Sequence, residues 1–257
     1  LFTATTTASS TTAFSATTTG NAIAGKYTIN VTQLAQAQTL TTKATQADNK
    51  TAIATSDSVL TIQQGGGKEP VTINISAANS SLTGMRDAIN NAKAGVSASI
   101  INVGGAYRLS ITSNDSGLDN AMTLSVSGDS ALQNFMGYNG TKGDTSNGMT
   151  ESVTAQNAEL TVNNVAIVNS SNTISDALED ITLNLNDVTS GNQTLTITQD
   201  TTKAQAAVKA WVTAYNALQD TFSSLTKYTA VDVGSDSQDT SNGALIGDTT
   251  LQIGRAH

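Results

Sequence analysis

The stretch Ala204-Gln205-Ala206-Ala207-Val208-Lys209-Ala210-Trp211-Val212-Thr213-Ala214-Tyr215-Asn216-Ala217-Leu218-Gln219-Asp220-Thr221-Phe222-Ser223-Ser224-Leu225 decides how this chain is read. Its apolar positions are Ala204, Val208, Trp211, Tyr215, Leu218, Phe222 and Leu225, at spacings of 4, 3, 4, 3, 4 and 3. That spacing is the a/d seam of a helix that packs along another helix. The stretch also holds the only Trp of the chain. No heptad stretch of similar length precedes it, so its partner is expected to be a further part of the same protein or another subunit. Val208, Trp211, Tyr215, Leu218, Phe222 and Leu225 are therefore the candidate helix-packing and assembly residues.

The rest of the chain reads as strands and turns rich in Thr and Ser. Residues 1–20 carry only Phe2 and Phe14 as anchors, and they predict either an extended strand on a neighbour or disorder. Tyr27, Ile29 and Val31 alternate with polar residues, as in a half-buried strand, and Leu34 to Leu40 continue it less regularly. Val59–Gln64 and Val71–Ser76 flank Gly65-Gly66-Gly67 and predict a hairpin, with Pro70 placed before the second strand. Leu82, Met85, Ile89 and Ala92 follow Ser80-Ser81 and precede Gly95, which predicts a short capped helix.

Strands are expected at Val96–Val103, Tyr107–Thr112 and Met122–Val126, and a linker at Gly137–Thr150. Glu159–Val162 and Val165–Val168 flank Asn163-Asn164, a dipeptide suited to a type I′ turn. A short helix is predicted at Ile174–Leu178, capped by Thr173. Ile181–Val188 and Thr194–Thr198 are expected to pair across Ser190-Gly191-Asn192. The segments Asn79–Ile89 and Asn169–Leu178 echo one another, which leaves open a duplicated strand–helix–strand unit.

Composition narrows the function. Charged residues are 12% of the 257 and aromatics 4%, while roughly one residue in six is Thr. A surface built from hydroxyls and amides rather than ion pairs follows. The net charge of −8 argues against nucleic acid, because phosphate binding needs clustered Lys and Arg. No basic amphipathic stretch points to a membrane surface. With no Cys, thiolate chemistry, disulfides and Cys-type zinc sites have no material, and His257 is the only His. No cofactor site is expected.

Several local patterns admit a sharper reading and a plainer one. Asn114-Asp115-Ser116-Gly117-Leu118-Asp119 has oxygen ligands near a glycine but lacks the alternating acidic spacing of a calcium loop, so a turn is expected. Gly65-Gly66-Gly67 lacks the Lys-Ser/Thr of a phosphate cradle. Asp232, Asp236 and Asp239 read as a solvated face. Glu159 and Asp180 lack the aromatic platforms expected around a glycosidase pair. The chain reads as a non-enzyme.

Three segments, in order, resemble the bacterial flagellar hook-associated protein 2 family, the filament-capping proteins. The first joins Thr72-Ile73-Asn74-Ile75, Leu82 to Asn91, Gly95-Val96-Ser97-Ala98 and Tyr107-Arg108-Leu109, and is similar to the Ile-Asn motif of hook and flagellin-related proteins. The second joins Ala155–Ala158, Val162-Asn163-Asn164, Ser171–Ile174 and Ile181–Leu185. The third, Val208 to Asn216, is similar to the family's helix, with Trp211 where Phe is usual. The resemblance runs from about Gly25 to Tyr228.

This resemblance implies an α+β fold with two nested β-rich domains inserted in a helical, coiled-coil-like domain. Residues 1–22 and 200–257 would belong to the helical domain, 23–50 and 148–199 to the inner β-rich domain, and 51–147 to the outer one, with one helix. Helices expected before Leu1 and after Leu251 are missing, and Ile253-Gly254-Arg255-Ala256-His257 departs from the family and reads as non-native. By resemblance the function is structural: a ring of identical subunits at the flagellum tip, exported without a cleaved signal peptide, that promotes flagellin polymerisation. The implied partners are flagellin, further copies of the chain and the hook–filament junction proteins, with no nucleic acid and no membrane. The alternative is a bacterial surface adhesin module whose outer β domain binds host glycan or protein.

Overall fold

The computed structural model describes residues 3–8, 11–228, 234 and 242–247. β1 (Thr3–Ala8), β2 (Phe14–Thr18), β3 (Gly25–Gln33) and β4 (Thr39–Thr42) come first. β5 (Ser58–Gln64), β6 (Val71–Ile75), α1 (Leu82–Ala92), β7 (Val96–Val103), β8 (Ala106–Ser113), β9 (Met122–Ser127) and α2 (Ser130–Met136) follow. Next are β10 (Met149–Val153), β11 (Ala158–Val162), β12 (Val165–Asn169), β13 (Thr173–Leu178), β14 (Ile181–Leu185) and β15 (Gln193–Asp200), then the long α3 (Thr202–Leu225). Residues 4–198 form one compact unit, and the segment from Gln199, with residues 1–3, forms a second.

Within the first unit the apolar side chains gather into two clusters. The larger runs from Leu40 to Met149 and is covered by the sheets β10-β4-β8-β7 and β6-β5-β9. The smaller draws on Phe14, Ile29 and Val31 and on residues from Ala158 to Ile197, between the sheets β1-β15-β3-β11-β12 and β13-β14-β2. Alternation explains the strands: Ile29 and Val31 of β3 and Ala158, Leu160 and Val162 of β11 point inward, one residue in two. The β11–β12 hairpin closes on Asn163 and Asn164 at φ of 49° and 65°, the positive values a type I′ turn requires. The β5–β6 hairpin around Gly65-Gly66-Gly67 is also present.

In α1 the Ser81 hydroxyl accepts from the Gly84 N–H at 3.2 Å, and Leu82, Met85 and Ile89 face the larger core. The helix ends on Lys93 in the left-handed conformation, ahead of the expected Gly95. The surface follows the composition: among the described residues one ion pair, Arg86–Asp87, is present, and it is exposed.

Four expectations are corrected. Thr173–Leu178 is strand β13, not a helix, because it pairs with β14 and buries Ile174 against the smaller core. The echo with α1 is therefore not a repeated strand–helix–strand unit. The segment after Ile181 does not pair with Thr194–Thr198. β14 lies between β13 and β2, while β15 pairs with β3, which sets Leu195 beside Tyr27 and brings Leu195 and Ile197 into the smaller core.

Two further segments are well ordered despite their composition, and the second of them is the fourth correction. Phe14–Thr18 is strand β2, the extended alternative expected for residues 1–20, paired with β14 and with Phe14 only 2% exposed. The Gly137–Thr150 stretch is folded into the larger core rather than linking domains. Tyr138 and Leu124 exchange backbone hydrogen bonds of 2.9 and 2.8 Å, and Met149 is buried.

The helix α2 has no counterpart in the sequence reading. Its cap, Asp129, is buried and accepts from Leu132 N at 2.9 Å through one oxygen. The other oxygen takes the N–H groups of Thr55 and Ser56 at 2.8 and 3.0 Å. Those backbone donors, Leu132 first and Thr55 next, hold its carboxyl well below the usual carboxylate range, although burial opposes them. Asp232, Asp236 and Asp239, and the terminal residues read as non-native, lie outside the described residues.

Candidate functional site

The candidate site is α3, 24 residues long. At 1.5 Å per residue it extends about 36 Å. Good helix formers fill it, with Ala at 204, 206, 207, 210, 214 and 217 and no Gly or Pro between Thr202 and Leu225. Asp200 starts the helix by accepting from Thr202 N at 2.9 Å. Its last turn is closed by a returning segment. Gly243 N–H donates to the Lys227 carbonyl at 2.9 Å, and Leu245 N–H to the Leu225 carbonyl at 3.0 Å. The second of these bonds satisfies a carbonyl that the helix end leaves without a partner, and the first ties down the residue just past its cap. A Cβ on Gly243 would fall 2.1 Å from the Leu225 oxygen, so this approach requires glycine.

The side chains of the seam sit as the spacing places them, along one stripe, but no residue of α3 is buried. Val208 is 62% exposed and Trp211 67%, and Tyr215 and Leu218 are also exposed. Phe222 and Leu225 are half-buried. Trp211 and Tyr215 stack with ring centroids 5.6 Å apart and planes 19° from parallel, as residues four apart on a helix can. Charge is sparse, with Lys203, Lys209 and Asp220 the only ionisable residues of the helix apart from Tyr215.

Two hydroxyls of the helix are turned back onto its own backbone. Thr213 and Thr221 donate to the carbonyls four residues earlier, Lys209 and Ala217, at 2.9 and 2.8 Å. What the helix offers is therefore an apolar face with few charges and few free donors. The stripe carries no group arranged for chemistry, and an exposed apolar patch of this kind is what an interaction surface presents. The sequence reading missed Val212, exposed next to Trp211, and the row Ala207, Ala210, Ala214 and Ala217, whose 3-4-3 spacing lets a neighbouring backbone approach beside the seam.

The other candidate patterns serve the fold. In the Asn114–Asp119 loop, Asn114 accepts from the Ser97 hydroxyl at 2.6 Å, and Leu118–Asn120 forms a 3-10 turn. Asp180 sits in the β13–β14 turn at φ 59° and accepts from the Thr19 hydroxyl at 2.6 Å. Glu159 is on an exposed position of β11. Among the described residues no group of three or more His, Cys, Asp or Glu could hold a metal ion, and no helix is long and apolar enough to cross a membrane.

Comparison with known proteins agrees with this architecture. The family models for the N-terminus and the C-terminus of flagellar hook-associated protein 2 match residues 1–38 and 155–256, and the flagellin hook IN motif matches residues 59–115. Flagellar hook-associated protein 2 of Escherichia coli strain K12 is 79% identical over 253 residues, which cover 98% of this chain and 54% of that protein. The chain thus spans about half the length of the curated relatives it matches.

The crystal structure of the D2-D3 domains of the flagellar cap protein FliD from Escherichia coli is similar, with a TM-score of 0.75 and 80% identity. It covers 78% of this chain and 100% of that one. The crystal structure of the D1-D2-D3 domains of the same cap protein has a TM-score of 0.77 at 73% identity, over 100% of this chain and 67% of that one. With both ends of the family model matched and a solved domain pair covered throughout, this chain belongs to the flagellar hook-associated protein 2 family.

Proposed function

We propose that the chain is the central part of a flagellar filament cap, a structural assembly factor without enzymatic activity. In this reading copies of the complete protein form a ring at the distal end of the extracellular flagellum, hold arriving flagellin there and promote its polymerisation. Flagellin, further copies of the protein and the hook–filament junction proteins are the partners. The observation that carries the reading is the 79% identity over nearly the whole chain to a flagellar hook-associated protein.

The physical division of labour is that the β-rich part forms the body and α3 the attachment. Val208, Trp211, Tyr215, Leu218, Phe222 and Leu225 would pack against helices of the complete protein, coiled-coil fashion, and so hold the subunits together. The two hydrophobic clusters support an outer domain whose limits lie nearer Gln38 and Val153 than 51 and 147, since Leu40 and Met149 belong to its core. The adhesin alternative has no observation in its favour. The test is to express a gene of full length carrying this sequence in cells lacking their own cap protein, and to label the product with antibody-bound gold under the electron microscope. Label at filament tips is expected. Label scattered over the cell surface, with no filaments, would reject the cap reading.

A further inference from the structure

The two hydrophobic clusters of residues 4–198 are joined by two backbone crossings, one between Ala35 and Leu40 and the other between Met149 and Ala158. At the crossing point the strands touch at one bridge, Gln36 with Gln156. Two short crossings with one bridge between them are the anatomy of a hinge. A third contact closes it. The loop between β8 and β9 leaves the larger core and lies across the junction. Gly117 N–H donates to the Gln36 carbonyl at 3.1 Å, an oxygen that also accepts from Gln156 N at 3.2 Å. Leu118 N–H donates to the Asn157 side-chain oxygen at 2.8 Å, and the Ser116 hydroxyl donates to the Ser170 carbonyl at 2.7 Å. Asn157 and Ser170 flank the smaller core.

Gly117 permits this approach for two independent reasons. Its backbone, at φ 94° and ψ 162°, occupies a region essentially reserved for glycine. A Cβ there would fall 2.5 Å from the Cβ of Ser170 and 2.7 Å from its Cα and carbonyl oxygen. The loop is braced from its own side, since the Asn120 side chain donates to the Ser116 carbonyl at 2.7 Å.

We propose that Ser116-Gly117-Leu118 is a latch that fixes the angle between the two β-rich bodies. With the latch closed the junction is held at three points rather than two, and the bodies present their surfaces to any assembly in one geometry. Without it they turn about the crossings at Gln36 and Gln156 while each core stays intact. The segment that looked like a weak calcium loop in the sequence is, on this account, a conformational clamp.

The chain contains no Cys, so two introduced thiols label it cleanly. Ser99→Cys on the exposed side of β7 and Ser190→Cys in the β14–β15 loop place a spin label on each body, and pulsed electron resonance reads the distance distribution in the full 257-residue chain. One narrow distribution is expected for the parent. Gly117→Val should broaden it about twofold or more as the hinge is released. Amide-exchange protection at Leu60 and Leu109, and at Leu160 and Leu183, should meanwhile remain as in the parent. If Gly117→Val does not fold, Ser116→Ala combined with Asn157→Ala removes two latch bonds without steric strain and is read in the same way. A distribution as narrow as the parent's in a folded variant overturns the latch. Loss of core protection in the Ser116→Ala, Asn157→Ala variant overturns it too, because the loop would then belong to a core rather than to the junction.

Discussion

Removing Trp211 from this chain should cost little, and removing it from the complete protein should cost much. In the chain its side chain is two-thirds exposed, and among the described residues its specific contact is the stack on Tyr215. The stack contributes about 0.5–1.5 kcal/mol. Ala is the better helix former by a few tenths of a kcal/mol, about 0.5, which offsets part of that. Trp211→Ala should therefore destabilise α3 by about 1 kcal/mol or less. Where a second helix covers the seam, the same substitution removes a packed aromatic and should cost about 3–5 kcal/mol. The difference, roughly 2–5 kcal/mol by subtraction of those two ranges, measures what the partner contributes.

Urea unfolding followed by circular dichroism at the helix band gives both numbers, on the chain and on a protein of full family length carrying it. Because Trp211 is the only Trp, its fluorescence gives a second reading on the parent: solvent-exposed emission in the chain and blue-shifted emission when the seam is covered. A cost of 3 kcal/mol or more in the chain alone would mean the seam is already packed. Equal, small costs in both proteins would mean it is never packed.

Other expectations are independent of the seam. Leu109→Ala, at a fully buried position of the larger core, should lower stability by about 2–5 kcal/mol in urea titrations, with α3 unaffected. Asn164→Val puts a β-branched residue at φ 65° and should cost about 1–2 kcal/mol, whereas Asn164→Gly should be neutral or stabilising in the same titration. Acid should weaken the fold through Asp129, Asp48 and Asp144. The carboxyl of Asp48 is held low first by the Thr51 hydroxyl, and that of Asp144 first by the Ser146 N–H. Their native pKa values lie below the 3.8 of the unfolded chain, so the unfolded state binds more protons as pH falls. The thermal midpoint should be flat above about pH 5 and fall as acid is added through pH 4 and below, and Asp129→Asn should flatten that fall. In the alkaline range Tyr138, pushed up to about 12 by burial and by the Glu151 charge, should titrate later than a free tyrosine does in ultraviolet absorbance.

Much of the fold was legible because period-2 alternation and turn chemistry agree locally. Tyr27–Val31, the Asn163-Asn164 hairpin and the Ser81-capped helix all formed where the residues place them. The misreadings share a cause. Thr173–Leu178 has a helix-like start, yet its fate was decided by β14, a partner that only the tertiary fold supplies. The pairing of β15 with β3 joins residues more than 150 positions apart, which no local pattern encodes. Helix α2 is short, and its cap Asp129 serves Thr55 and Ser56 as much as the helix itself, so its signal was divided between two elements.

The helix α3 and its apolar stripe were legible because periodicity alone marks them. The latch was illegible for the opposite reason: Gly117 is explained by Ser170, a residue on another strand connection.

The most direct test of the account uses the full-length gene in cells lacking their own cap protein, with Trp211→Asp and Leu218→Asp introduced together. Both side chains are exposed in the chain, so the β-rich body should fold as before, while the charges should forbid burial of the seam. Filament length and the flagellin found free in the medium are then measured side by side. The account predicts long filaments with the parent, and short or absent filaments with abundant free flagellin for the double variant. Filaments of parental length from the double variant would contradict the assignment of assembly to α3.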